Sequence, residues 1–101
     1  MSRRRKPSKQ TLKVLAALLS RPGEWRYGYD LTKALALQSG TLYPLLMRLS
    51  DEGLLESEWH PAARQGLPAR HAYRLTAAGS AYARANLAAA EGSDGAGLAP
   101  A

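Results

Sequence analysis

The chain has 101 residues, one domain's worth, which excludes a multidomain enzyme, and its 46% apolar and 22% charged content excludes a wholly disordered polypeptide. Cysteine is absent, so thiol nucleophiles, disulfide frameworks and thiolate metal or cluster sites are excluded together. The formal charge of +6 is unevenly placed: Arg3, Arg4, Arg5, Lys6, Lys9 and Lys13 precede the first acid, and the remainder is formally neutral.

Residues 1–7 read as a mobile basic arm ended by Pro7. Ser8 is placed to cap a helix from about Lys9 to Ser20. Its apolar residues Leu12, Val14, Leu15, Ala16, Leu18 and Leu19 cover more of the circumference than one buried face requires, so packing on both sides is expected. Pro22 and Gly23 stop it, and Trp25 to Tyr27 form a short extended link. A shorter helix runs from about Gly28 to Leu37 with Leu31, Ala34 and Leu35 inward. Gln38, Ser39, Gly40 and Thr41 then make a polar turn before a third helix, whose Leu42, Leu45, Leu46 and Leu49 recur at i, i+3, i+4 and i+7. Pro44 has no N–H to give a helix interior, which places the helix start near Ser39 or Thr41, and Gly53 supplies the stop.

Leu54 to Trp59 reads as a strand, Pro61 to Ala69 as a turn region, and His71 to Leu75 as a second strand, together a hairpin with a long tip. From His60 to Arg74 the chain carries Arg64, Arg70 and Arg74 and no acid. Thr76 caps a last, alanine-rich helix from about Ala77 to Ala90, with Tyr82 and Leu87 as its only large apolar side chains. Residues 91–101, rich in Gly and Ala without an aromatic, read as a disordered tail. There is no apolar run of the roughly 18 residues a membrane span needs and no apolar segment behind the basic N-terminus, so a soluble, unsecreted, cytoplasmic protein is expected.

Catalysis finds no footing: there is no phosphate-cradling glycine loop, no GxSxG and no paired-carboxylate arrangement. His60 and His71 could approach across the hairpin with Glu58 nearby, but two histidines without tight spacing make a poor metal site, and neither metal nor cofactor is expected. Trp25, Trp59 and Tyr73 suit core or strand-face packing. What remains is the order of elements. Three helices, the third opened by a polar turn and followed by a hairpin with a basic tip, form the pattern of a winged helix-turn-helix, mainly α with a small β-hairpin. A helix can enter the major groove of DNA only if one face holds the core while the other is free. Opposite the leucine stripe lie Gly40, Tyr43, Pro44, Met47, Arg48 and Asp51. Thr41 and Tyr43 offer hydroxyls with apolar surface, Arg48 a fork for guanine or phosphate, and Gly40 close backbone approach. The expected DNA-facing set is therefore Ser39, Gly40, Thr41, Tyr43, Pro44 and Arg48, with Arg64 and Arg70 on the wing and Lys9 and Tyr29 alongside. A protein-interaction module docking through the same helix is the rival, favoured by Met47 and by the neutral body.

The run Tyr27, Gly28, Tyr29, Asp30, Leu31, then Ser39 to Leu46, then Arg48, Leu49, Gly53, Leu54 and Leu55 resembles the PadR family of transcriptional regulators. Tyr73, Arg74, Leu75, Thr76 and Gly79 match the same family's strand-to-helix junction, and the resemblance spans roughly Thr11 to Ala85. It implies a homodimeric, DNA-binding repressor. Members often carry Glu where Asp30 stands and a longer C-terminal helical region for dimerisation. Here the surplus apolar surface of the first helix and the last helix suggest an isologous interface through Leu12, Leu15, Tyr82 and Leu87, setting two recognition helices on a palindromic site. No residue selects a small-molecule effector.

Overall fold

Ser8 opens the first helix as its sequence position predicts: its Oγ accepts the Thr11 N–H at 3.1 Å, satisfying one of the orphan amides of α1 (Lys9–Leu19). The computed structural model describes residues 6–98, with side chains described as far as residue 90. Arg3, Arg4 and Arg5 of the expected arm, and residues 99–101 of the expected tail, lie outside that range. After α1 come β1 (Arg26–Tyr27), α2 (Gly28–Leu35), α3 (Ser39–Asp51), β2 (Leu55–His60), β3 (Arg70–Leu75) and α4 (Ala77–Leu98).

The helix ends follow local chemistry. α2 stops two residues before its expected end because Ala36 turns into the left-handed region at φ 55°. Ala34, expected inward, is exposed, whereas Leu31 is buried and Leu35 partly so, since α1, α3 and the sheet close over their side. α3 ends in a Schellman motif: Gly53 takes φ 78°, the Leu54 amide donates to Leu49 O at 2.9 Å, and the Gly53 amide donates to Ser50 O at 3.0 Å. α3 starts at Ser39, within the expected bounds, which leaves Pro44 in its second turn. The carbonyl it leaves without an amide belongs to Gly40, which is exposed, so solvent can satisfy it. α4 starts on Thr76, whose hydroxyl accepts the Gly79 amide at 2.9 Å and donates to Gly53 O at 2.7 Å. It runs on to Leu98 instead of ending at Ala90. Glycines in that stretch lower helix propensity by about 1 kcal/mol each, but they keep their amides, and no proline interrupts it.

The extended link at Arg26–Tyr27 is a strand, pairing Arg26 with Tyr73 and Tyr27 with Ala72, so the sheet is three-stranded and antiparallel in the order β1-β3-β2. The core draws on every larger element: Val14, Leu15 and Leu18 from α1, Leu31 from α2, Leu42, Leu46 and Leu49 from α3, Leu54, Leu55, Tyr73 and Leu75 from the hairpin, and Ala83 from α4. Each leucine taken fully out of water contributes roughly 1.5–3 kcal/mol. α1 packs on α2, on α4 and on β3, so both sides are covered as its breadth of apolar residues requires. Of the residues expected at a dimer interface, Leu15 is fully buried in the chain's own core, and Tyr82 and Leu87 are half-buried against that core. Leu12 is also half-buried. Much of the surplus of α1 is absorbed by α4 of the same chain.

Candidate nucleic-acid interface

α3 divides into a buried stripe of Leu42, Leu46 and Leu49 and an open side on which Ser39, Gly40, Thr41, Pro44 and Met47 are exposed. Leu45, on the flank of the stripe, is only partly covered. No acid occupies the first turn of α3, so no carboxylate of that turn offsets the positive end of the helix dipole. Helix propensity alone does not create this division. The leucines at helical spacing bury one side, and the polar turn leaves the start of the other side clear.

Two of the expected groove residues behave differently. Tyr43 is half-buried, not free: its ring lies across Gly28 at the start of α2, where an added Cβ would sit 2.6 Å from Tyr43 Cε1. Glycine is needed there for the close approach of that ring. Arg48 is exposed along its stem but turns its Nη2 toward Thr11 Oγ1 at 3.3 Å. Thr11 is otherwise a buried polar residue, so one arm of the Arg48 fork ties α3 to α1.

The wing places its two arginines at different heights. Arg64 is exposed in the tip, where its carbonyl accepts the Leu67 amide at 3.2 Å around Gly66 at φ 88°. Arg70, expected on the wing, opens β3 opposite His60 at the tip end of the ladder: Nε donates to Pro61 O at 3.1 Å and the guanidinium lies 4.2 Å from the Tyr27 ring centroid. Beneath it, with its proton on Nε2, His60 accepts from the Tyr27 hydroxyl at 3.0 Å and donates to Glu58 at 2.8 Å. His60 pairs with Arg70 across the ladder, so His71, one residue on, points to the opposite face and the two histidines do not converge. His71 instead meets the Tyr73 hydroxyl at 2.9 Å and stacks on Trp59 at 4.3 Å. Of the three aromatics expected to pack, Tyr73 is core and Trp25 is half-buried under Arg74, 4.3 Å away, whereas Trp59 is 67% exposed. Burial, and then the neighbouring Tyr43 phenol, push the Tyr73 hydroxyl above its ordinary pKa.

Tyr29, Tyr43 and Arg70 come together on a groove of about 830 Å³ between the start of α2, α3 and the wing. Arg64, next in sequence to the lining Ala63, is exposed in the turn, and Lys9 is exposed on the first turn of α1. Trp59 and His71 also line the groove. Alternation along β3 from buried Tyr73 could have pointed to His71, but the exposure of Trp59 depends on its tertiary neighbours.

The geometry has counterparts among known proteins. The family model for the PadR-like transcriptional regulators matches residues 14–85. A PadR family transcriptional regulator from Eggerthella lenta is 37% identical, with a TM-score of 0.70 over 87% of this chain and 78% of that one. A PadR-like transcription factor from Bacteroides fragilis is 28% identical, with a TM-score of 0.69 over 91% and 89% of the two chains. A transcriptional regulator homologue from Pyrococcus horikoshii, 24% identical, shares the fold with a TM-score of 0.72 over 88% and 84%. No curated protein matches the chain. No helix among the described residues is long and apolar enough to cross a membrane. With a winged helix-turn-helix whose third helix is open on one side and a family match across most of its length, the chain belongs to the PadR-like family of transcriptional regulators, which are DNA-binding regulators and not enzymes.

Proposed function

We propose that this protein is a sequence-specific repressor that acts as a cytoplasmic homodimer on a palindromic operator, with residues 8–76 as the DNA-binding domain and α4 contributing to dimerisation. The observation that carries the reading is the division of α3: its N-terminal half presents Ser39, Gly40, Thr41 and Pro44 to the outside while its leucines are held in the core. Such a helix can enter a major groove without unfolding anything. Tyr43 then contributes the edge of a ring fixed on Gly28, and Arg64 and Lys9 supply phosphate contacts that position the domain without reading bases. A two-fold assembly would space recognition helices about 34–36 Å apart, one turn of DNA. Half-exposed Leu12, Tyr82 and Leu87 are the apolar side chains left on α1 and α4 to border such an interface.

The test is a salt-series titration on the DNA upstream of the protein's own gene, with scrambled DNA as control and sedimentation of the free protein. Tighter binding to the native site is expected, with a dimer at micromolar concentration. Arg64→Ala should lower the log-log salt slope by about 0.9, the increment for a single phosphate that is no longer neutralised. Equal, weak affinity for both DNAs would favour the protein-interaction module, to which the 62% exposed Met47 and the inward turn of Arg48 lend support.

A further inference from the structure

Major-groove readout draws on a short list of side chains: Arg or Lys for guanine, Asn or Gln for adenine, Glu or Asp for cytosine, and apolar groups for the C5 methyl of thymine. Between Ser39 and Asp51, α3 contains no Lys, Asn, Gln or Glu. Arg48 is its single guanidinium, and Nη2 of that fork donates to Thr11 Oγ1 at 3.3 Å. Asp51 is the last residue of the helix. The hydrogen-bonding part of the list is thus almost empty on α3.

The apolar part is well filled. Thr41, Pro44 and Met47 recur at i, i+3 and i+6 and all three are exposed, and residues three apart are neighbours on a helix surface. They make a ridge of a methyl, a ring and a thioether chain, whose one strong hydrogen-bonding group is the Thr41 hydroxyl. Met47 is 62% exposed and, unlike the other large apolar side chains left in solvent, Tyr29, Trp59 and Leu67, lies outside the groove beside the wing. Gly40, one turn before Pro44, has nothing within 4 Å of where a Cβ would stand, so the approach to the ridge is open. At about 1.5 Å of rise per residue the ridge is about 9 Å long, enough to meet two or three base pairs at roughly 3.4 Å each.

We propose that α3 reads its operator through thymine methyl groups received on the ridge of Thr41, Pro44 and Met47, with Met47 the specificity-determining side chain. Methyl readout rests on the reading that α3 faces DNA. A duplex is the occupant that the charge of the chain fits, +6 overall with Lys9 and Arg64 exposed. The unbranched thioether chain of Met47 can adjust its rotamers to a methyl on either strand.

The probe is the duplex upstream of the protein's own gene, made with thymine and again with deoxyuridine in place of every thymine, alongside scrambled duplexes of both kinds. Deoxyuridine lacks the C5 methyl and keeps every hydrogen-bonding group of the base, so it isolates the methyl contact. The parent protein should bind the native deoxyuridine duplex at least about fourfold more weakly than the native thymine duplex, the effect of roughly one buried methyl. Met47→Ala should cut that preference for thymine about fourfold. Met47→Gln, near in length but polar, should do the same, whereas Met47→Leu should keep the preference. Met47 is exposed, so the three variants should melt with the parent protein. An unchanged affinity for the deoxyuridine duplex overturns the proposal, as does a loss equally large on the scrambled duplexes or a thymine preference that survives both Met47→Ala and Met47→Gln. Equal affinity for native and scrambled thymine duplexes overturns the DNA reading and methyl readout with it. A preference for the native sequence that persists in deoxyuridine DNA overturns methyl readout alone.

Discussion

The two ends of the wing hairpin are built on one antiparallel ladder and meet opposite fates. At the base Leu55 pairs with Leu75, both buried, with buried Tyr73 next along the same face. Two steps further along that face Trp59 pairs with His71 and stands 67% exposed, and Leu67 in the turn is 48% exposed. The side chains at the tip are no less apolar than those at the base. The difference lies in the neighbours: Leu55, Tyr73 and Leu75 join the leucines of α1, α2 and α3 in one core cluster, and Trp59 and Leu67 do not. Burial is a property of the assembly, and apolar residues on one strand face can serve as core at one end and stand exposed at the other.

The sharpest way to break this contrast is at Gly79, where an added Cβ would overlap the Leu54 carbonyl oxygen. That atom is backbone and cannot swing aside, so Gly79→Ala should destabilise by about 3 kcal/mol or more in denaturant unfolding, at the upper end of overpacking costs. Next, Leu55→Ala should cost about 2–3 kcal/mol as a core cavity, whereas Leu67→Ala should stay within about 0.5 kcal/mol. Equal costs for the two leucines would mean that the tip is packed after all. Thr76→Ala removes the cap of α4 and its bond to Gly53 and should cost about 1 kcal/mol, visible as a lower Tm.

The smallest effect is a pH dependence. The Tyr73 phenol is raised above its ordinary value of 10.0, so the unfolded chain loses that proton first as pH rises. Its neutral form is favoured in the fold, and stability is unaffected below pH 10.0 and declines above it, toward the higher folded pKa. Tyr73→Phe should lose its bond to His71 at neutral pH yet decline less steeply than the parent protein in melts taken above pH 10.0. A parallel decline of the two proteins would place the phenol in a wetter site than its burial indicates.

Local signals in the sequence were enough for the helices, the Ser8 and Thr76 caps, the Gly53 stop and the order of elements, because each depends on residues within a few positions of one another. The α3 stripe also fell where its spacing placed it, apart from Leu45 at the flank. What escaped depends on distant partners. β1 is two residues long and exists only because Tyr73 and Ala72, more than forty positions later, supply its ladder. Tyr43 lies half-covered because Gly28 lacks a Cβ, and Leu15 is buried because α4 folds back on α1. Arg70 belongs to the ladder and not to the turn because the strand begins one residue earlier than its apolar pattern suggested. At the candidate site the sequence therefore identified the exposed start of α3 and Tyr29, Tyr43 and Arg70 of the groove, and missed its Trp59 and His71.

The wing leaves the body at Gly53 and Leu54 and returns at Thr76, where the Thr76 amide donates to Leu54 O at 3.1 Å and the hydroxyl to Gly53 O. Both ends are thus fastened to each other independently of whatever lies between them. Loop closure becomes only slowly more costly with length, by about 0.6 kcal/mol for each doubling. The segment between His60 and Arg70 can therefore be lengthened, shortened or exchanged with little consequence for the helices. In evolutionary terms the hairpin is a replaceable tool on a fixed handle: reach, charge and pocket lining at its tip are free to diverge while the core that carries them is inherited unchanged.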